Sequence, residues 1–175
     1  MAIIRGPEKA ILFVGSLFSS SDIFNDAEIV LKKKFGNVLF KSPSVPWTYS
    51  DYYNSELGCG IFRNFIFFDT IIDPSSLVSA KLQTKEIEEH FSKDNKRRIN
   101  LDPGYITLAK VVLASNKNYS HRIYLGKGIY AELELFYKDR MFNPLFYTYF
   151  DYNDEMFIKI FTEARSLLKK QLSLT

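Results

Sequence analysis

The chain contains a single cysteine, Cys59, in 175 residues. No internal disulfide is possible and no cysteine pair exists to ligate a metal, so a reducing cytoplasm is the expected compartment. Glycine (8) and proline (6) are scarce, which excludes collagen-like and low-complexity chains. Long apolar runs are missing. The longest, residues 10–14 and 65–68, fall far short of the roughly 20 that span a bilayer. The opening string Met1-Ala2-Ile3-Ile4-Arg5-Gly6-Pro7-Glu8-Lys9 reaches charge at once and does not read as a signal peptide. A soluble protein with no membrane partner is expected. The charge of one sign is small, 23 Lys and Arg against 20 Asp and Glu for a net +3, so bulk charge alone does not mark a nucleic-acid binder.

Several signatures are absent as well. No G-x-x-x-x-G-K-[ST] phosphate loop or G-x-G-x-x-G string occurs, and Gly126-Lys127-Gly128 is too short to be either. H-E-x-x-H, paired C-x-x-C and G-x-S-x-G strings are missing, which removes the familiar zinc and hydrolase readings. No dedicated metal site is expected.

What the chain has in excess is aromatic: 16 Phe, 11 Tyr and one Trp make 16% of it. With 46% apolar residues it has ample mass to offset the entropy of ordering. One domain over residues 1–175 is expected, burying roughly 70% of the unfolded surface.

Residues 10–18 read as a buried strand running into a helix capped within Ser19-Ser20-Ser21-Asp22. Ile23, Ala27, Val30, Leu31 and Lys34 form its stripe, and Gly36 ends it. The serines at that helix N-terminus read as caps in preference to an anion site. Residues 38–41 and 62–72 read as strands, with Ser42-Pro43-Ser44-Val45-Pro46 extended or turning between them. Asp73-Pro74 starts a helix whose Leu77, Ala80, Thr84, Ile87 and Phe91 face inward and whose Glu86, Glu88 and Glu89 are solvated. Residues 97–101 are strand-like, and Asp102-Pro103-Gly104 spells a tight turn. Residues 105–115 fit both patterns. Val111-Val112 favours strand, while Tyr105, Leu108, Ala109 and Val112 fall at helical spacing; the strand reading is preferred.

A hairpin follows over residues 121–137, turning at Gly126-Lys127-Gly128. It sets Arg122 opposite Glu132 and Tyr124 opposite Tyr130, with Glu134 on that polar face. Alternation puts His121, Ile123, Ala131, Leu133 and Leu135 on the other face. Asp154 caps a last helix with Phe157, Ile160, Phe161, Ala164, Leu167 and Leu168 as its stripe. The order β-α-β-β-α-β, then hairpin and helix, predicts an α+β fold: a ferredoxin-like split βαβ sandwich with an added β-hairpin and C-terminal helix.

Four strings concentrate polar chemistry. Thr48-Tyr49-Ser50-Asp51-Tyr52 and Thr148-Tyr149-Phe150-Asp151-Tyr152 repeat T-Y-x-D-Y, a phenol beside a carboxylate that can hold a sugar, a base edge or a cation. Chance repetition in a Tyr-rich chain, or capping by the two aspartates, also accounts for them. Arg97-Arg98-Ile99-Asn100 offers guanidinium forks for phosphate or carboxylate. Alternation sets Arg97 with Ile99 and Arg98 with Asn100, and a solvated charge run is equally open. The hairpin's Arg122, Tyr124, Tyr130, Glu132 and Glu134 form either ordinary exposed sheet surface or the floor of a site. His121 fits a general acid/base or a hydrogen-bonded core histidine, and His90 fits a structural role.

The strings Asp51-Tyr52-Tyr53 with Glu56-Leu57-Gly58, Asn100-Leu101-Asp102-Pro103-Gly104-Tyr105, His121-Arg122-Ile123-Tyr124-Leu125-Gly126, Gly128-Ile129-Tyr130-Ala131-Glu132 and Thr148-Tyr149-Phe150-Asp151-Tyr152 resemble an uncharacterised prokaryotic domain-of-unknown-function family of about this length. Its members are sometimes labelled "GTP-binding protein". The resemblance implies a shared site and carries no activity. The label does not extend to GTPase chemistry here, because the phosphate loop is absent and Asn116-Lys117-Asn118-Tyr119 lacks the Asp of N-K-x-D.

The expected function is binding of a small anionic or nucleotide-like ligand in a cleft. Arg97, Arg98 and Arg122 would hold the anion. Asp51, Asp102, Glu132, Asn100 and Asp151 would take hydrogen bonds, or the acids a divalent cation, and Tyr52, Tyr105 and Tyr124 would stack or donate. Were it an enzyme, His121 and Asp102 are the acid/base candidates; no cofactor can be named. Two alternatives stand: an RNA-binding module using exposed Tyr and Arg on the sheet, and a non-catalytic homodimeric or assembly protein.

Overall fold

A computed structural model describes residues 3–174. Its order is β1 (Ala10–Phe18), α1 (Ser21–Phe35), β2 (Val38–Lys41), β3 (Val45–Pro46), α2 (Asn54–Leu57), β4 (Phe62–Ile72), a 3₁₀ turn (Pro74–Ser76), α3 (Leu77–His90), β5 (Ile99–Ile106), β6 (Lys110–Ser115), β7 (Ile123–Gly126), β8 (Ile129–Lys138), β9 (Met141–Pro144) and α4 (Glu155–Ser173). The fold is α+β. The strands build one antiparallel sheet in the order β2-β4-β1-β5-β6-β8-β7, with β3 added beside β4 and β9 beside β8.

Alternation along the strands makes two cores. Leu12, Val14, Ile66, Phe68, Ile99 and Leu101 face α1 and α3, whereas Ile11, Phe13, Phe65, Phe67 and Ile106 face α4. On the α4 side the phenylalanines stack edge to face, Phe161 lying 5.2 Å from Phe13 and 5.1 Å from Phe65. Such contacts add about 0.5–1.5 kcal/mol each beyond area burial. Helices α1 and α4 and the 3₁₀ turn before α3 each begin where a polar side chain takes an orphan amide: Ser20 accepts from Ile23, Asp154 from Met156 and Asp73 from Ser75.

Three local expectations are corrected, and the strand reading of residues 105–115 holds, divided between two strands. Asp102-Pro103-Gly104 is strand, not turn. The missing N–H of Pro103 costs nothing on the edge that β6 leaves free, and a Cβ at Gly104 would collide with the Phe13 ring and the Val112 carbonyl. Residues 105–115 are two strands, the turn between them closed by Thr107 accepting from Ala109 and Lys110. Glu88 is buried rather than solvated. Opposite Val111 and Val112 of β6 the register of β8 slips, so Glu134 is an extra, bulged residue. The slip sends Leu133 to the α3 side and Leu135 to the α4 side, and the single apolar hairpin face does not exist. Ile123 stands in solvent, while Glu132 and Glu134 are buried.

Candidate functional site

The β5–β6 ladder is short. It pairs only Gly104, Tyr105 and Ile106 with Leu113, Val112 and Val111. Beyond Gly104, β5 continues with β1 to Ile99, and beyond Leu113, β6 continues with β8 to Ser115. The two strands therefore fork. A cavity of about 290 Å³ occupies the fork, lined by Asn100 and Asp102 on one side and Leu113, Ala114 and Ser115 on the other.

The free edge of β5 needs partners, and α3 supplies them. Glu88 accepts the Leu101 amide at 2.6 Å, and Lys81 donates to the Leu101 carbonyl at 3.4 Å and to Asp102 at 2.9 Å. Lys81, Lys85 and Glu88 fall four and three residues apart, on one helical stripe, and all three line the cavity. Opposite them, Arg63 of β4 reaches the cavity from the α4-side sheet face, where Gly15 makes room: a Cβ there would sit 3.0 Å from the guanidinium. Two loops complete the wall, one with Trp47, Tyr52 and Tyr53 and one with Tyr149, Asp151 and Tyr152. They carry the two T-Y-x-D-Y strings.

The polar groups form two networks. Arg97 donates to both oxygens of Glu56 at 2.7 Å and to Asn100 at 2.7 Å; Asn100 donates to Asp102 at 2.6 Å. Behind Tyr149, Arg122 donates to the tyrosine hydroxyl at 2.7 Å and to buried Glu132 at 2.7 Å, and His121 lies 2.8 Å from Glu132. Not every group is satisfied. Arg63 and Asp151 are buried as an ion pair, with Asp151 Oδ2 2.8 Å from the guanidinium, yet Arg63 Nε and the nearby Tyr152 hydroxyl have no hydrogen-bond partner. All three residues line the cavity.

Burial and charge set the protonation preferences. Burial pushes Glu88 up to about 7, against the pull of Lys81, the Leu101 amide and Arg97, which donates to it at 3.4 Å. Burial likewise raises Asp151, against the pull of Arg63, and raises Glu134 well above the carboxylate range, with Glu132 adding to it. Burial opposes ionisation of Asp102 too, but Lys81, Arg63 and Asn100 outweigh it and hold its carboxyl below the ordinary value. Among the described residues, no group of three or more His, Cys, Asp or Glu is placed to hold a metal ion.

Of the residues expected at a site, Tyr52, Arg97, Asn100, Asp102 and Asp151 line the cavity. Arg122, Glu132 and His121 sit behind its Tyr149 wall. Arg97 meets Asn100 instead of facing away from it, because it precedes β5 and is free of strand alternation. Arg98 is exposed and outside the lining, and Asp51 is exposed and accepts from Asn54 at 2.9 Å. Tyr105 packs on the α3-side core with Val112 and Ile129. Tyr124 is exposed beside Tyr130. His121 is not on an apolar face; it contacts Glu132 and stacks on Tyr147 at 4.2 Å.

Arg63, Lys81, Lys85, Glu88 and Lys117 are additions. One signal was visible for Arg63, a cation inside the Phe/Ile-rich string 62–72. A family model described as Domain of unknown function (DUF4416) matches residues 8–167. The chain belongs to the DUF4416 family. The matched span holds every residue of the cavity wall in this DUF4416 member. No curated protein and no solved structure matches the chain.

Proposed function

We propose that the protein binds a small anionic, nucleotide-like ligand in the cavity at the β5–β6 fork. The observation that carries this is the cavity lining, which includes two residues with a buried polar atom that lacks a hydrogen-bond partner, Arg63 (Nε) and Tyr152 (hydroxyl). A buried donor left without an acceptor costs about 1–3 kcal/mol, a deficit that a ligand oxygen would remove. Charge adds to it. Arg63, Lys81, Lys85, Arg97 and Lys117 line the cavity against Glu88, Asp102 and Asp151. The inner cations are committed to Asp151, Asp102 and Glu56, whereas Lys85 has only an exposed 3.8 Å contact with Glu89 and Lys117 a 3.3 Å hydrogen bond to the Tyr52 hydroxyl, so these two are the cations most readily turned to an anion. Trp47, Tyr53 and Tyr149 supply ring surface for a base or sugar.

The strand order β2-β4-β1-β5, with α1 and α3 on one face, supports reading that half as a ferredoxin-like split βαβ unit extended by β6–β9 and α4. On that reading the ligand binds where the extension departs. If a reaction occurs there, Glu88 is the wall group suited to proton exchange near neutrality.

The test is a thermal-shift panel of nucleoside monophosphates and sugar phosphates. At least one should stabilise the protein, with the effect reduced about tenfold in apparent affinity, roughly one charge-assisted contact, by Lys85→Ala or Lys117→Ala. No stabilisation above about 0.5 kcal/mol at saturating ligand sinks the proposal.

A further inference from the structure

We propose that the ligand enters the cavity as the terminal nucleotide of a single-stranded nucleic acid, whose next bases lie on an aromatic track leading from the mouth; this rests on the cavity reading above. The cavity, about 290 Å³, is at the small end of ligand sites, which run roughly 300–1,000 Å³, so one nucleotide-sized unit fills it. Anything longer must continue outside.

The surface beside the mouth is built for that. Tyr52, 65% exposed, lines the cavity with Lys117 ammonium 5.0 Å from its ring. Arg122 donates to the Lys117 carbonyl at 3.0 Å and stands 5.4 Å from the Tyr119 ring. Tyr119, 63% exposed, is 5.6 Å from His121; His121 lies nearly parallel to Tyr147; and Tyr147 meets Phe146, 98% exposed, at 4.9 Å. The result is a run of four rings in successive contact, Tyr119, His121, Tyr147 and Phe146, joined to Tyr52 at the cavity through Lys117 and Arg122. Folding does not need Phe146 or Tyr119 in water.

Stacking on such rings is tolerant of sequence, because every base has a π-face, and Lys117 and Lys85 are available to phosphates. The carboxylate under the track does not oppose a polyanion, since Glu132 is buried and held by Arg122 and His121. Asp51, beside Tyr52, is held by Asn54. A purely apolar partner would find no use for cations interleaved with the rings.

The experiment is fluorescence anisotropy with labelled octauridylate and octathymidylate, alongside thermal shift with the corresponding mononucleotides. The octamers should bind at least about tenfold tighter than one nucleotide, as one added stacked base suffices to give, and weaken steeply with salt. A Tyr119→Ala/Phe146→Ala double variant, altered only at exposed rings, should lose that gain and keep the mononucleotide shift. A circular single strand of the same sequence, having no end, should bind without the gain. Octamers no tighter than the mononucleotide, an unaffected double variant, or a circle as tight as the linear strand would each overturn the proposal while leaving the cavity reading intact. If neither mononucleotide nor octamer binds, both readings fall.

Discussion

Arg63 is the residue on which the site turns. It is buried on the α4-side sheet face, its guanidinium 4.4 Å from the Phe65 ring and 5.6 Å from that of Tyr152, in contact with Asp151. Desolvating two charges is costly, and their attraction offsets the cost only while both are present. Arg63→Met should therefore destabilise the protein by about 3–5 kcal/mol. Adding Asp151→Asn should recover much of the loss, because the orphaned carboxylate goes with it. Urea unfolding of the two variants measures this; equal losses would mean that the pair itself is not what holds the region. The arginine could be noticed in the sequence as a lone cation among phenylalanines, but its partner could not. Asp151 lies 88 positions away, and only the fold brings the second T-Y-x-D-Y string over β4. Tyr105 and Arg98 show the converse limit. Both sit in strings dense with polar groups, yet strand alternation turns Tyr105 onto the α3-side core, and Arg98, in the loop before β5, stands exposed outside the cavity lining.

At the scale of elements, the helices and long strands were legible because their signals are local: caps, an apolar stripe, an unbroken run of Phe and Ile. The fork between β5 and β6 was not. Asp102-Pro103-Gly104 carries the composition of a turn, and its strand conformation follows from non-local facts, a departing neighbour and a close Phe13 ring. The bulge at Glu134 hid the hairpin's true faces in the same way, since one inserted residue reverses alternation beyond it. The edge that β6 abandons is finished by α3, and this is measurable. The Leu101 amide has a carboxylate, Glu88, as its acceptor at 2.6 Å. It should exchange with solvent deuterium as slowly as an interior ladder amide. Glu88→Ala should speed its exchange at least about tenfold, the loss of one buried hydrogen bond, with Ile106 in the intact ladder little changed. Rapid exchange at Leu101 in the unmodified protein would refute the role given to α3.

For the whole molecule, the buried acids set how stability responds to pH. Glu88 keeps its proton up to about 7 in the folded chain, whereas its ordinary value is 4.5. Between those values the native state binds the extra proton, so stability falls as pH rises through the window. Glu134 and Asp151, also raised, act in the same direction. Asp102, Glu28 and Glu56 are lowered and act oppositely, their contribution disappearing as pH drops below the usual carboxylate range. Maximum stability is thus expected on the acid side of neutrality, near pH 5, and Glu88→Gln should flatten the decline toward pH 7. Urea midpoints that rise steadily from pH 5 to 7 would contradict this.

The three-pair ladder between β5 and β6 has one more consequence. Everything up to Ile106 and everything from Lys110 onward are joined through the sheet by those pairs alone, and α4 lies over both, touching Phe65 and Phe67 of one half and Leu135 and Phe142 of the other. The molecule thus has a seam, clasped on one face by α4 and on the other by α3, whose Leu77 packs with Val112, Ala114 and Ile129. A chain nicked in the turn at residues 107–109 would give two fragments whose reassembly depends on those two helices. A ligand seated in the fork would bridge the seam as well, acting as a third clasp.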